Sequence, residues 1–421
     1  MALIRLPKVR LNWKKLLHIG KLPKLRIRPE RKKWDGKAPL RVGFYTDTYL
    51  PNVDGVVNSI LSYKGELERR GDEVFVFTSG TEADEKEYGG KKTFFFESVV
   101  FPPYPQYKVA VFPLSSINYA MKSKLSLIHS HAIASMGVAA IASAKALNLP
   151  LVGTYHTMIP KATFILTKSS FGKKLFSAVA WGAIRQFYSP FDLVTAPTRT
   201  IEKMLNKHGV EKTAVVPNGI DLNKFSPKYD RQIVRKLFGM KPNEKIILTS
   251  GRLSGEKNVH VLIKAFEKLR EEKEAKFIIQ GDGPARAACQ KLARKSKYSK
   301  DIIFTGFIKE FEVPFFYSAA DVFATASTFE TQGLAMLESM ACGRIAVGAN
   351  SLAIPEMLHE GENGFLFKPY NEQECAEKLL KALELKDGKL KAMEKNARKV
   401  ASQYSIQKSV DKLIAAYGKV L

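Results

Sequence analysis

Two glutamates eight positions apart, Glu330 and Glu338, are the side chains of this sequence with the clearest potential for chemistry. Gly333 lies between them, where a loop is predicted to become a helix. Eight helical residues rise about 12 Å, so the two carboxylates could not reach one common atom. They could instead hold a ligand with hydroxyl groups at both ends and negative charge in the middle, which is the shape of a nucleotide sugar. The helix N-terminus near Gly333 would then face the diphosphate with free N–H groups.

The elements that must position this pair alternate between strands and helices in two successive runs. Residues 40–46 predict a buried strand, residues 47–55 a turn that ends in glycine, and residues 73–78 the next strand, which together make a βαβ unit. The alternation restarts after a linker helix predicted over 231–238. The predicted fold class is therefore α/β, with two Rossmann-like domains that face each other across a cleft.

Three segments are expected along the chain: a basic N-terminal extension over 1–38, a first domain over 39–222 and a second over 223–421. The last helix could pack back onto the first domain. A hairpin-like turn is predicted at 361–367, ahead of the final helices. Polar loops follow most of the predicted strands, at 47–55, 129–131, 156, 251–257, 281–283, 306–308 and 327–334. Ligands of such sheets bind at the carboxyl ends of the strands, so loops from both halves predict a site between the domains.

The composition indicates an anionic partner, because the formal charge is +26 and the isoelectric point is near 9.7. Residues 1–37 alone carry 13 Lys and Arg against two acidic residues. This segment could be a solvated tail, could adsorb to an anionic membrane or could contact nucleic acid. The aromatic, basic stretch over 161–185 could likewise be a solvated helix or a membrane-docking face. No window approaches the roughly 18 apolar residues of a membrane-spanning helix.

The cysteines and histidines do not form a metal-binding pattern. The three cysteines are far apart, which favours a reducing cytosol and argues against a disulfide framework. His129 and His131 are close in sequence, but the sequence offers no third ligand nearby. We therefore expect neither a metal nor a bound cofactor.

Taken together and in order, the motifs identify a resemblance that runs from about residue 40 to the end of the chain. They are Val216-Pro-Asn-Gly-Ile-Asp221, Gly251-Arg-Leu-Ser-x-Glu-Lys257-Asn, Gly281-Asp-Gly-Pro and Glu330-x7-Glu338. This set resembles the family-4 retaining glycosyltransferases, which have the GT-B fold. The segments at 46–55, 154–157 and 330–333 further resemble diacylglycerol glucosyltransferases and related lipid or mannosyl transferases.

The resemblance implies a role for the residues of the glutamate motif. Glu330 would hydrogen-bond the hydroxyl groups of the donor sugar, and Glu338 would hold the ribose hydroxyls. Backbone N–H groups near Gly333 and Leu334 would assist at the sugar and the phosphate. Each of these roles belongs to the second domain.

Other residues would complete the donor site by the same resemblance. Arg252 and Lys257 would clamp the diphosphate, and Gly55 would admit a phosphate oxygen at the N-terminus of the first helix. Phe307 would flank the base. His156 would lie at the sugar, near its 6-hydroxyl and the scissile bond.

The acceptor would come from the first domain, with His131 and Asp47 on its side of the cleft; a packing role for His131 stays open. The activity implied is metal-independent, retaining transfer of a hexose from a UDP- or GDP-sugar to a membrane lipid such as diacylglycerol. The enzyme would be cytoplasmic and peripherally attached to the membrane, with no nucleic-acid partner. A soluble or polysaccharide acceptor is the alternative, as is a non-catalytic protein that binds nucleotide sugars.

Overall fold

The computed structural model describes residues 34–36, 38–52, 54–100, 108–111, 113–156, 158, 169–241 and 243–421. Residues 1–33 of the basic extension and residues 161–168 of the aromatic, basic stretch lie outside these residues, and the predictions for them stay predictions. Across the described chain, no helix has both the length and the apolar character needed to cross a bilayer.

The N-terminal half is built on one sheet. Its strands are Arg41–Thr46 (β1), Glu73–Gly80 (β2), Thr93–Val100 (β3), Lys108–Ala110 (β4), Leu127–Ser130 (β5), Leu151–Thr154 (β6), Leu193–Ala196 (β7) and Thr213–Val215 (β8). Their order is β4-β3-β2-β1-β5-β6-β7-β8, with β3 and β4 antiparallel and the other neighbours parallel. The chain changes direction across the sheet between β1 and β5, and the carboxyl ends beside such a switch point form a binding crevice.

The helices of this half flank the sheet. They are Gly55–Arg69 (α1), Glu82–Tyr88 (α2), Ser116–Lys122 (α3), Ser135–Leu147 (α4), Ser170–Tyr188 (α5) and Arg199–Lys207 (α6). Apolar residues at helical spacing, Val57, Ile60 and Leu67, bury the inner face of α1. This fixes the start of α1 at the carboxyl end of β1, beside the crevice.

The C-terminal half contains a second, fully parallel sheet among the described residues. Its strands are Ile246–Ser250 (β9), Lys276–Gln280 (β10), Ile302–Gly306 (β11), Val322–Thr325 (β12), Ile345–Ala349 (β13) and Gly364–Phe367 (β14). Its helices are Gln232–Leu237 (α7), Val259–Leu269 (α8), Arg286–Lys295 (α9), Val313–Ala319 (α10), Leu334–Ala341 (α11), Ile354–Met357 (α12), Glu372–Leu383 (α13), Asp387–Ala401 (α14) and Ile406–Tyr417 (α15). The strand order is β11-β10-β9-β12-β13-β14, so the predicted α/β class with two such domains is confirmed.

The hairpin-like turn predicted at 361–367 is present as a turn, but the hairpin pairing is wrong. Gly361 does make a tight turn, with φ +75° and its N–H donated to Gly364 O at 2.8 Å. The residues that leave the turn, however, form β14 and pair in parallel with β13. A Cβ at Gly364 would lie 2.1 Å from Ala346 O, so glycine allows this close approach of the two strands.

The last helix, α15, returns to the N-terminal sheet. Its residues Val410, Leu413 and Tyr417 belong to the same buried cluster as Tyr63 and Leu67 of α1. The chain therefore crosses between the two halves twice, which ties their relative position to a large apolar contact.

Candidate active site

A cavity of about 320 Å³ lies between the two halves, at the carboxyl ends of their strands. It brings together seven residues that the sequence singled out: Gly55, His156, Arg252, Lys257, Glu330, Gly333 and Leu334. Glu338, Phe307, His131 and Asp47 do not line it. Both domains thus contribute polar groups to one cavity, as convergent strand ends predict.

Lys257 and Glu330 form an ion pair in the wall of this cavity. The ammonium group of Lys257 donates to Glu330 Oε1 at 2.6 Å, and the two side chains are 32% and 18% exposed. Burial alone would raise the pKa of Glu330, but the charge and hydrogen bond of Lys257, with a hydrogen bond from Ser327, bring its net pKa below the ordinary value. Glu330 is therefore held ionised at neutral pH, as a hydrogen-bond acceptor for hydroxyl groups.

The loop that carries Arg252 is locked against the loop after β10. Gly251 and Gly281 have φ values of +135° and +121°, and a Cβ at Gly281 would lie 2.0 Å from Gly251 O. Leu253 also donates its N–H to Asp282 O at 2.9 Å. Backbone packing of this kind leaves little room for movement, so Arg252 is presented to the cavity from a rigid base.

Gly333 starts α11 at the cavity. Its φ of +89° is the left-handed conformation that glycine adopts without strain, and a Cβ there would lie 3.1 Å from Ile354 Cδ1. Gly333 and Leu334 line the cavity together with Glu330, so the N-terminal end of α11 borders it. This helix N-terminus suits an anionic group.

The N-terminus of α1, unlike that of α11, is capped by an acidic side chain. Asp54, the residue before Gly55, caps the helix by accepting from the N–H groups of Val56 and Val57, both at 2.9 Å. No heavy atom lies within 4 Å of a Cβ built on Gly55. Gly55 therefore leaves open space, but a carboxylate already takes two N–H groups that a phosphate would use.

His156 lines the cavity from the end of β6, and a second histidine lies behind it. His131 Nδ1 is 2.9 Å from His156 Nε2. Desolvation lowers the pKa of His156 to about 4, and burial with two neighbouring histidines lowers the pKa of His131 as well. Both rings are thus neutral at physiological pH. His131, predicted on the acceptor side, contacts a ring of the site rather than the cavity itself.

Both halves of the chain are similar in sequence to known proteins. Residues 53–224 match the family model described as Glycosyltransferase Family 4, and residues 230–400 match the model described as Glycosyl transferases group 1. The alpha-monoglucosyldiacylglycerol synthase of Streptococcus pneumoniae is 32% identical over 351 residues, which cover 82% of this chain and 78% of that protein. The synthase of the same name from Acholeplasma laidlawii is 31% identical over 344 residues, 79% of this chain and 86% of that one.

This chain belongs to the family-4 glycosyltransferases. Solved structures agree on the fold: HepE from Anabaena, in complex with UDP, matches with a TM-score of 0.73 at 21% identity over 90% of this chain and 100% of that one. The predicted GT-B fold and the assignment as a hexosyltransferase enzyme are confirmed.

In this glycosyltransferase, Glu338 lies one turn into α11 and outside the cavity proper. Tyr317 donates to Glu338 Oε2 at 2.9 Å. Burial raises the pKa of Glu338 to about 7, despite the opposing effects of Tyr317 and Lys224. The two motif glutamates therefore differ in acidity: the pKa of Glu330 is lowered, whereas that of Glu338 is raised.

Phe307 and Asp47 also lie outside the cavity that holds the ion pair of this glycosyltransferase. Phe307 follows β11 with 69% of its surface exposed, so its ring is open to solvent. Asp47 accepts from the N–H groups of Ala134 and Met136 at 3.0 and 2.9 Å, at the start of α4. These bonds give Asp47 a structural task in holding α4 to the end of β1.

Sequence reasoning missed a clamp between the domains of the glycosyltransferase, formed by the two residues after Glu330. Gln332 exchanges two hydrogen bonds with the backbone of Asn218, at 2.8 and 2.9 Å. Thr331 donates to His156 O at 3.3 Å and accepts from Thr198 Oγ1 at 3.0 Å. The same short segment thus carries a cavity carboxylate and joins the two halves. Motif spacing could not have revealed it, because the partners are over a hundred residues away.

A metal centre is not evident in the parts of the chain that the structure describes, where no three His, Cys, Asp or Glu side chains cluster suitably. The expectation that the glycosyltransferase works without a metal or cofactor stays a prediction.

Proposed function

We propose that this glycosyltransferase moves a hexose from a nucleotide-diphosphate sugar to a membrane lipid, with retention of the anomeric configuration and without a metal. The observation that carries the proposal is the interdomain cavity, in which an ionised Glu330, two cations and a helix N-terminus meet a neutral histidine. Hydroxyl groups and a diphosphate are the ligand chemistry that such a set of groups complements.

Each part of a nucleotide sugar has a counterpart in this arrangement. Glu330 would accept hydrogen bonds from the sugar hydroxyls, and His156 would contact the sugar from the opposite domain. Arg252, Lys257 and the start of α11 would bind the diphosphate. The ribose would reach Glu338, and the base would extend toward the exposed ring of Phe307.

The chemistry follows from where charge develops. Breaking the bond between the anomeric carbon and the phosphate oxygen sends its electron pair to the diphosphate, which Arg252, Lys257 and the dipole of α11 stabilise. The acceptor hydroxyl attacks on the face that the phosphate leaves, and its proton passes to the departing phosphate oxygen. No protein nucleophile is then required.

Two observations support a lipid acceptor. The relatives at 31–32% identity are named as alpha-monoglucosyldiacylglycerol synthases, and diacylglycerol is the lipid in that name. The formal charge of +26 would draw the protein to an anionic membrane. We therefore place its work at the cytoplasmic face of the membrane, with diacylglycerol as the first acceptor to test.

The test is a matrix of donors and acceptors. UDP-glucose, UDP-galactose and GDP-mannose, each labelled in the sugar, are incubated with the protein and vesicles that contain diacylglycerol and an anionic lipid. We expect label in the lipid extract with one donor. Label in a water-soluble oligosaccharide instead would favour a polysaccharide acceptor, and tight binding of a donor without transfer would favour a non-catalytic binding protein.

A matched pair of variants distinguishes a loss of chemistry at the site from a general loss of folding. Glu330→Gln should abolish transfer, whereas Glu372→Gln should not, although Glu372 also pairs with a lysine, Lys264, at 2.7 Å. The ion pair of Glu372 and Lys264 lies outside the cavity. Equal activity of the two variants would refute the assignment of Glu330.

A further inference from the structure

Three histidine rings form a row that begins at the cavity wall and leads into the core of the first domain. His129 and His131 have centroids 4.1 Å apart, and His131 and His156 have centroids 5.2 Å apart. His156 reaches the cavity, whereas His131 is only 6% exposed and does not line it. His131 is thus placed to act on a substrate only through His156.

The contact between the two rings restricts where their protons lie. The 2.9 Å separation of His131 Nδ1 and His156 Nε2 requires that one nitrogen donates and the other accepts. A neutral imidazole carries a single N–H, so fixing the donor in this bond fixes the tautomer of both rings. The low pKa values of both histidines support the neutral forms at physiological pH.

The other nitrogen of His131 decides between the two possibilities. His131 Nε2 is buried and makes no hydrogen bond with the described residues. If His156 donated, His131 would carry its proton on Nε2 and leave a buried N–H without an acceptor. If His131 donates from Nδ1, only a bare lone pair is left unsatisfied. Orphaned buried N–H groups are the rarer of the two in folded proteins, which favours the second arrangement.

We propose that His131 is a positioning residue that donates from Nδ1 to His156 Nε2 and thereby fixes His156 as the tautomer protonated on Nδ1. Because Nε2 of His156 is occupied by this bond, Nδ1 is the nitrogen left for a ligand. His156 then meets a substrate oxygen as a hydrogen-bond donor and does not act as a base. The part of this inference that concerns the substrate rests on the proposed transfer of a sugar.

The tautomer can be measured directly on the full-length protein without substrate. Long-range ¹H–¹⁵N spectra of histidine-labelled protein distinguish protonated from bare ring nitrogens, and the signals of His156 are identified by their loss in His156→Gln. We expect a protonated Nδ1 and a bare Nε2 for His156. A protonated Nε2 would overturn the proposal, whatever the activity of the enzyme.

Substitutions of His131 supply the functional half of the test. In His131→Asn the amide nitrogen can occupy the place of Nδ1 and still donate, whereas His131→Leu removes the donor. The leucine variant should lose about 10- to 100-fold in kcat/KM for the donor sugar, the loss typical when the hydrogen-bond partner that orients a metal-ligating histidine is removed. It should also lose the single tautomer of His156, and asparagine should restore both.

A control at His208 shows whether losing any stacked histidine matters. The His208 ring packs on Trp181 with centroids 3.9 Å apart, and it does not line the cavity. His208→Leu should keep the His156 tautomer. Equal losses in His131→Asn and His131→Leu would contradict a positioning role. The expected tautomer in a protein that transfers no sugar would instead refute the proposed function and leave the hydrogen-bond assignment intact.

Discussion

Replacing Lys257 by alanine tests the electrostatics of the cavity most sharply. The substitution removes the cation 2.6 Å from Glu330 and leaves a largely buried carboxylate without its charge partner. It also removes one of the two cations proposed to stabilise the leaving diphosphate. We therefore expect two separable effects, one on stability and one on turnover.

The size of each effect follows from the burial of the pair. Removing one member of a fully buried ion pair costs about 3–5 kcal/mol, but these side chains keep 32% and 18% of their exposure, so we expect about 1–3 kcal/mol. Losing one charge-stabilising group of a transition state typically lowers kcat by about 10²- to 10³-fold. The loss of activity should therefore exceed what partial unfolding could explain.

The stability effect should depend on pH. The folded-state pKa of Glu330 lies below its ordinary value of 4.5, so the pair stabilises the fold above that value and the contribution fades as pH falls through the folded pKa. Without Lys257, burial raises the pKa of Glu330 instead. The deficit of Lys257→Ala should thus be largest at pH 7–8 and should shrink as pH falls, until the carboxyl is protonated in both proteins below the folded-state pKa of the wild type.

The assay is urea unfolding at several pH values, with Lys264→Ala as the control. Lys264 pairs with Glu372 at a similar distance, but 45% and 29% of the two side chains are exposed, so its loss should cost less than about 1 kcal/mol. The reasoning would be refuted if the two variants lost equal stability at every pH. It would also fail if Lys257→Ala kept its activity.

Two further variants address the second glutamate and the clamp. The raised pKa of Glu338 means that its protonated form favours the fold, and this contribution is lost as pH rises through about 7. Glu338→Gln should therefore raise the free energy of unfolding at pH 8 by about 1–3 kcal/mol and have little effect at pH 4.5. Equal stabilisation at both pH values would contradict this pKa. The same variant should weaken the binding of UDP, measured by calorimetry. Gln332→Ala loses two hydrogen bonds to Asn218 and should lower the free energy of unfolding by about 1–3 kcal/mol. The control Gln373→Ala breaks one exposed hydrogen bond, to Glu377, and should leave the free energy of unfolding nearly unchanged.

Much of the fold and site could be predicted because local patterns determine them. Alternating strands and helices with polar loops at strand ends predicted two α/β domains and a shared cleft, and the loops at 251–257 and 327–334 meet there. The parallel pairing of β14 with β13 was missed because the glycine turn at 361–364 has the local signature of a hairpin, although β13, α12 and β14 follow one another in the chain as a βαβ unit.

Other features depend on contacts between residues far apart in the chain. Lys257 and Glu330 were predicted to bind different parts of the ligand, yet they pair across 73 positions. His131 was expected on the acceptor side, but it lies behind His156. These relations come from how the strands pack, which residue types and spacing do not encode.

The anomeric configuration of the lipid product tests the central claim most directly. The purified protein is supplied with an α-linked nucleotide sugar and vesicles of diacylglycerol with an anionic lipid, and the extracted glycolipid is analysed by ¹H NMR. We predict an α-linked sugar on the lipid hydroxyl, produced by the wild type and by Glu372→Gln but not by Glu330→Gln. A β-linked product would contradict retention, and a lipid fraction without sugar for every donor would contradict the proposed reaction.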